Sequence, residues 1–240
     1  MTAEPAMSRR ERTRSATLDE IKSTARELMH EQGSTDVRFT DIARAMGLSA
    51  PALYRYFDDR DELISALISD GFDSLGAAVA AASAPIDDAD ILGRWVAAAG
   101  AYRDWARDEP QRFALVLGMP VPGYSEPTEG MTTEAASRAM SQLSALFVAA
   151  AERGELRPPL IREASPELAV CQELKHEGQA ELLPPESFQA LLQTWAMLHG
   201  LVSLEVNGNL DWLTPQARDE LFLSQVRLAA LTAGLADPAA

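Results

Sequence analysis

Cysteine is almost missing from this 240-residue chain: Cys171 stands alone, so no intramolecular disulfide can form. That suits a reducing cytosol. Histidine is nearly as scarce, and His30, His176 and His199 are too scattered for metal-ligand spacing. There is no phosphate-cradling glycine loop and no nucleophile-elbow pattern. The sequence therefore lends catalysis no support, and no cofactor or metal is expected. Uninterrupted apolar runs of the ~20 residues that span a bilayer are absent. The N-terminus carries Arg9, Arg10, Arg12 and Arg14 where a signal peptide would be apolar. A cytoplasmic protein without membrane contact is the expectation.

Positive charge is also in short supply. The formal net charge is -15, which sits poorly with nucleic-acid binding, normally marked by a basic footprint. The imbalance is uneven, however: residues 1–70 hold 10 Lys+Arg against 13 Asp+Glu, and the rest holds 11 against 23. Any contact with DNA must depend on a few well-placed cations, with little non-specific attachment.

What is present is helix. Apolar residues make up 47% of the chain and recur at three- and four-residue steps, with no strand-like alternation of Val, Ile and Thr. The expected class is all-α, with about nine to ten helices: a three-helix N-terminal bundle and a larger C-terminal helical bundle. Leu18, Ile21, Ala25 and Leu28 form one stripe that ends at Gly33, and Thr17 with Glu20 has capping-box spacing, with an earlier helix start left open. Asp59 with Glu62 repeats that spacing before a long helix towards Ala84, stopped by Pro85 and the acidic cluster ending at Asp90. Further helices are predicted near 90–107, 110–118, 133–153, 166–179, 185–206 and 215–234, with a Pro- and Gly-rich loop over 119–131.

The most informative stretch runs from Phe39 to Phe57. Two short helices that cross steeply need small residues at their contact and a tight turn between them. Thr40 can cap the first helix, Ala43 permits close approach, and Gly47 sits where positive φ is needed. Ser49 can cap the second helix, and Pro51 falls in its tolerant first turn. Ile42, Met46, Leu48, Leu53 and Tyr56 are placed to point inward.

These residues resemble the TetR family of bacterial regulators. The likeness covers residues 15–68 and includes Gly33, Phe39-Thr40-Asp41-Ile42-Ala43, Gly47-Leu48-Ser49, Leu53-Tyr54-Arg55-Tyr56-Phe57 and Arg60-Asp61-Glu62-Leu63. The resemblance implies a dimeric DNA-binding regulator, usually a repressor of a palindromic operator released by a small-molecule effector. It places DNA contacts on Thr40, Ser49, Ala50, Pro51, Ala52, Tyr54, Arg55, Tyr56 and Arg60. Of these, Arg55 has the fork to hold guanine O6 and N7 together. Tyr54, Tyr56, Thr40 and Arg60 suit phosphates. The implied division is a basic arm over 1–14, a helix-turn-helix domain over 15–62, and a ligand-binding and dimerisation domain over 63–240. The arm's arginines either reach DNA or stay solvated.

Farther on, Tyr102-Arg103-Asp104-Trp105-Ala106, Glu109-Pro110, Trp195 and His199-Gly200 resemble the C-terminal domain type named for Trp-His-Gly. That likeness implies a cavity, for which Trp95, Tyr102, Trp105, Phe113, Leu117, Leu143 and Phe147 offer an apolar wall with a few polar groups. His176 and Glu177 either flank it or lie on a solvated helix. Dimerisation is expected through the last two helices, at Leu192, Trp195, His199, Val202, Phe222 and Val226; the same apolar faces would also serve as protomer core. Two rivals stay open at this point: a helical protein-binding module without DNA, and a helical enzyme.

Overall fold

The computed structural model describes residues 8–118, 120–125, 130–175 and 183–235, with the side chain of Lys175 excepted. Ten α-helices and no strands occur among them: α1 Arg9–Gln32, α2 Phe39–Ala45, α3 Ala50–Leu53, α4 Arg60–Ser83, α5 Ile91–Asp108, α6 Pro110–Leu117, α7 Met131–Glu152, α8 Pro166–Lys175, α9 Pro185–Val206 and α10 Pro215–Ala233. His176 and Glu177 lie outside the described residues.

Packing divides the chain into two compact units, and not at the expected residue 62. One unit extends to Phe72 and takes in Glu109–Ala135; the other comprises Asp73–Asp108 and the chain from Ala136. The boundary thus falls inside α4, and α6 belongs with the helix-turn-helix.

In the first unit, α1 starts earlier than its apolar stripe suggested. Ser8 and Glu11 form a complete capping box that gives the Ser8 and Glu11 amides partners, and Gly33 ends the helix in the left-handed region. Thr17 is an interior residue. Ile21, Ala25 and Met29 are buried on α1, opposite charged residues that face water. Ile42 and Ala43 of α2 and Leu53 of α3 are likewise buried. Each fully buried large aliphatic of this kind contributes roughly 1.5–3 kcal/mol. Asp70 of α4 binds Lys22 at 2.9 Å and Arg26 at 3.6 Å, a polar tie to α1.

The second unit is held by α9 and α10, which pack on each other and on α5. Trp95 of α5 is fully buried and donates its indole N–H to the Val226 carbonyl at 2.8 Å. Asp90, expected only to stop α4, also begins α5: its carboxylate accepts from the Gly93 amide at 2.7 Å. The segment after α7 runs beside the end of α10, with Arg157 N–H bonding Gly234 O at 3.0 Å and Leu160 N–H bonding Thr232 O at 2.8 Å. By length and composition alone α4 would suffice to cross a membrane. Its apolar side chains Leu63, Ile64, Leu67, Ile68, Phe72 and Leu75 are instead buried within the protein.

Candidate nucleic-acid interface and regulatory unit

The helix-turn-helix is built from α2, the Met46–Ser49 turn and α3. Gly47 takes φ of +67°, the left-handed conformation that the turn requires and that side-chain-bearing residues resist. Its amide bonds Arg44 O, and the Leu48 amide bonds Ala43 O at 2.8 Å, which closes the end of α2. Arg38 rather than Thr40 occupies the N-cap of α2, without a side-chain bond. Ser49 does occupy the N-cap of α3, yet its hydroxyl makes no capping bond. Pro51 in the first turn instead pre-sets φ there. The second helix is short. It ends at Leu53, and Tyr54–Tyr56 continue as a turn closed by Tyr56 N–H on Leu53 O at 2.8 Å.

That turn sorts the side chains. Leu53 and Phe57 are buried, whereas Thr40, Ser49, Pro51, Tyr54 and Arg55 are exposed and Ala50, Ala52 and Tyr56 are half-buried. Eight of the nine expected DNA contacts therefore keep surface on the α2–α3 element or the turn after it. Tyr54 leans its ring on Phe39 at 5.0 Å between centroids while remaining 55% exposed. Leu48, expected inside, is exposed, because the turn after Gly47 carries it off the core face.

Arg60, expected to grip a phosphate, has internal partners. Its guanidinium donates to Val37 O at 3.0 Å, Pro122 O at 3.2 Å and Asp36 Oδ1 at 2.9 Å. With its fork committed in three directions, it braces the start of α4 against the α1–α2 link. Arg9, Arg10, Arg12 and Arg14 also differ from expectation, since they form the first turns of α1 rather than a loose arm. Arg14 donates to the Arg55 carbonyl at 2.9 Å and lies 5.4 Å above the Tyr56 ring.

In the second unit the expected cavity residues are partly dispersed. Trp95, Tyr102, Trp105, Leu143 and Phe147 belong to it, whereas Phe113 and Leu117 sit on α6 in the first unit. Trp95 and Phe147 are fully buried, Tyr102, Trp105 and Phe113 nearly so, and Leu117 and Leu143 are half-buried. Trp105 donates to Ser74 Oγ at 3.1 Å. Tyr102 Oη meets His199 Nδ1 at 2.8 Å, and His199 Nε2 meets Ser203 Oγ at 3.3 Å. Burial pushes the Tyr102 phenol well above its ordinary value and holds the His199 imidazole below its own. Both shifts favour the neutral rings. Trp195 stacks on His199 at 5.7 Å, and its indole N–H is buried with no partner among the described residues.

The expected dimer residues divide as well. Val202, Phe222 and Val226 are 0%, 3% and 1% exposed in the protomer, so they have no surface left to give a partner. Trp195 and His199 are half-buried, and Leu192 is exposed. The exposed face of α9 is instead Leu192, Ala196, Gly200 and Leu204, at four-residue steps; on α10 it includes Leu223, Leu228 and Leu231. The sequence reading also missed a buried cluster. Arg103 holds both oxygens of Glu205 at 2.7 Å and Asp219 at 2.8 Å, with its guanidinium 4.6 Å above the Phe222 ring. The sequence offered little signal, because Arg103 stands among Asp104, Arg107 and Asp108 on α5 and demands a partner only through its burial.

An exposed helix-turn-helix joined in one chain to a larger all-helical unit defines a DNA-binding transcriptional regulator, not an enzyme. The chain belongs to the TetR family: residues 21–67 match the bacterial regulatory proteins of the tetR family, and residues 95–229 match the tetracyclin repressor-like C-terminal domain. It is 30% identical over 220 residues to the HTH-type transcriptional regulator Rv1816 of Mycobacterium tuberculosis, covering 87% of this chain and 88% of that one. The crystal structure of the regulatory protein SCO4313 is 34% identical with a TM-score of 0.69, over 92% of this chain and 98% of that one. The TetR family transcriptional regulator PfmR from Thermus thermophilus shares the fold at 20% identity and a TM-score of 0.54, over 90% of this chain and 99% of that one.

Proposed function

We propose that this regulator is a cytoplasmic repressor that binds a palindromic operator as a homodimer and releases it on binding a small-molecule effector. The observation that carries the reading is the sorting on α2 and α3: Leu53 is buried while Thr40, Ser49, Pro51, Tyr54 and Arg55 face solvent together. Small Ala50 and Ala52 let the element approach a groove and touch thymine methyls, and Arg55 supplies the guanine fork. Tyr54, Tyr56 and Thr40 set register on phosphates.

Two-fold readers need two such elements about 34–36 Å apart, or a multiple of that spacing. The exposed α9 stripe suits a second copy of this chain. Ala196 and Gly200 let backbones approach, and Leu192 and Leu204 supply apolar area on either side. A Cβ at Gly200 would meet nothing within 4 Å, so the protomer's own packing does not require glycine there.

The effector binds in the second unit against Tyr102, Trp105 and Leu143, and the indole N–H of Trp195, without a partner among the described residues, is the donor it satisfies. It weakens DNA binding only as far as it binds the two conformations unequally. Selection from random duplexes with purified wild type and Arg55→Ala tests the reading. A palindrome enriched by the wild type alone is the expected result. Equal enrichment by both proteins would remove Arg55 from base reading, and no enrichment at low salt would overturn operator binding.

A further inference from the structure

We propose that the first turns of α1 form a fixed phosphate-binding surface in which Arg9 and Arg10 contact the DNA backbone and Arg14 is a positioning residue. The proposal rests on the DNA-binding reading above and extends the interface beyond the helix-turn-helix. Arg9, Arg10, Thr13 and Arg14 line an open groove together with Arg55 and Tyr56, so α1 and the end of the recognition element share one surface. At 3.6 residues per turn, Arg9 with Thr13 and Arg10 with Arg14 fall on one side of α1, the side that faces Arg55 and Tyr56.

The roles of these arginines differ. Arg14 is committed inward, bonded to the Arg55 carbonyl and stacked on Tyr56, so it fixes the approach of α1 to the residues expected to meet DNA. Arg9 and Arg10 are exposed and make no ion pair among the described residues. The one carboxylate on this groove among the described residues, Glu11, is turned back to the Ser8 amide at 2.7 Å, an arrangement that favours its charged form. The capping box satisfies the Ser8 and Glu11 amides, and the guanidinium side chains of Arg9 and Arg10 carry the positive charge that meets an anion. A chain with formal net charge -15 repels DNA over most of its surface. Two cations without an ion pair among the described residues, held beside the reading element, therefore weigh heavily.

The test is a salt titration of binding by the full-length chain to two duplexes, one of mixed sequence and the palindrome enriched by the wild type. Arg9→Gln with Arg10→Gln removes four arginines from a dimer, and is expected to weaken both duplexes by the same factor and to reduce the slope of log K against log salt by about 4. The operator-to-mixed ratio should stay unchanged. Arg14→Lys keeps the charge but loses the fork and the stack, so its slope should fall although its net charge does not change. An unaltered slope in the double variant, or a loss confined to the palindrome, would overturn the phosphate surface while leaving operator binding intact. An unaltered slope in Arg14→Lys would overturn its positioning role. Absence of wild-type binding to either duplex would overturn both readings.

Discussion

Arg103 and Glu205 meet in a two-pronged ion pair at 2.7 Å, with side chains 8% and 6% exposed, and so join α5 to the end of α9. Such a pair is costly to break and inexpensive to replace as a whole, because removing one partner strands the other's charge in an apolar setting. Asp219 at 2.8 Å and Arg107 at 3.9 Å soften but do not remove that penalty.

Arg103→Met is therefore expected to cost about 3 kcal/mol of stability, and Arg103→Met with Glu205→Leu markedly less. Denaturant unfolding of the two variants checks this. Equal losses would mean that the charges are effectively solvated and that the pair owes its geometry to the helices.

The empty space beside Gly200 gives two opposite expectations. Gly200→Ala adds a methyl that meets nothing in the protomer, and should raise helix stability by about 0.5–1 kcal/mol. Gly200→Glu places a charge in the middle of the Leu192–Leu204 stripe and should shift light scattering towards the 26.0 kDa protomer. A dimer that tolerates Gly200→Glu has its interface elsewhere.

Arg60 is expected to act on stability and not on DNA. Arg60→Lys cannot reproduce three divergent bonds and should lower the stability of the protein by about 1 kcal/mol, as read by denaturant unfolding. The salt dependence of DNA binding should be that of the wild type. A slope reduced by about two, one for each protomer of the dimer, would restore Arg60 to a phosphate.

His199 sets a pH dependence whose sign follows from its lowered pKa. The unfolded chain takes up a proton near the ordinary value of 6.5, while the folded imidazole resists protonation because it is desolvated. Below that value the unfolded state binds more protons, so stability falls as pH drops from 6.5 towards the folded pKa and levels off beneath it. His199→Gln should flatten this segment of the stability profile, as read by thermal melts at stepped pH. An unchanged profile would assign the slope to other groups.

Much was legible in the sequence because its causes are local. Helix ends follow from caps, prolines and glycines within a few residues, which is why α4, α9 and α10 fall where the periodicity placed them. The turn geometry at Gly47 has the same origin, and so does the ordered string from Phe39 to Phe57 that carried the family resemblance. The start of α1 is equally local: Ser8 with Glu11 sets it and not Thr17 with Glu20, so the expected arm is helix from Arg9.

What the tertiary structure decided is which side of each helix meets protein and which meets water. Periodicity marks an apolar face but cannot distinguish a face buried in the protomer from one offered to a partner. Hence Val202, Phe222 and Val226 proved to be core, while Leu192, Ala196, Gly200 and Leu204 kept the surface. Partners distant in sequence were equally out of reach: Arg60 with Pro122, Arg14 with Arg55, Arg103 with Glu205. Each is a cation that the chain alone shows only as charge. Its role depends on which oxygen the fold brings within about 3 Å, because the interaction is short-ranged and its direction is fixed by the packing of whole helices.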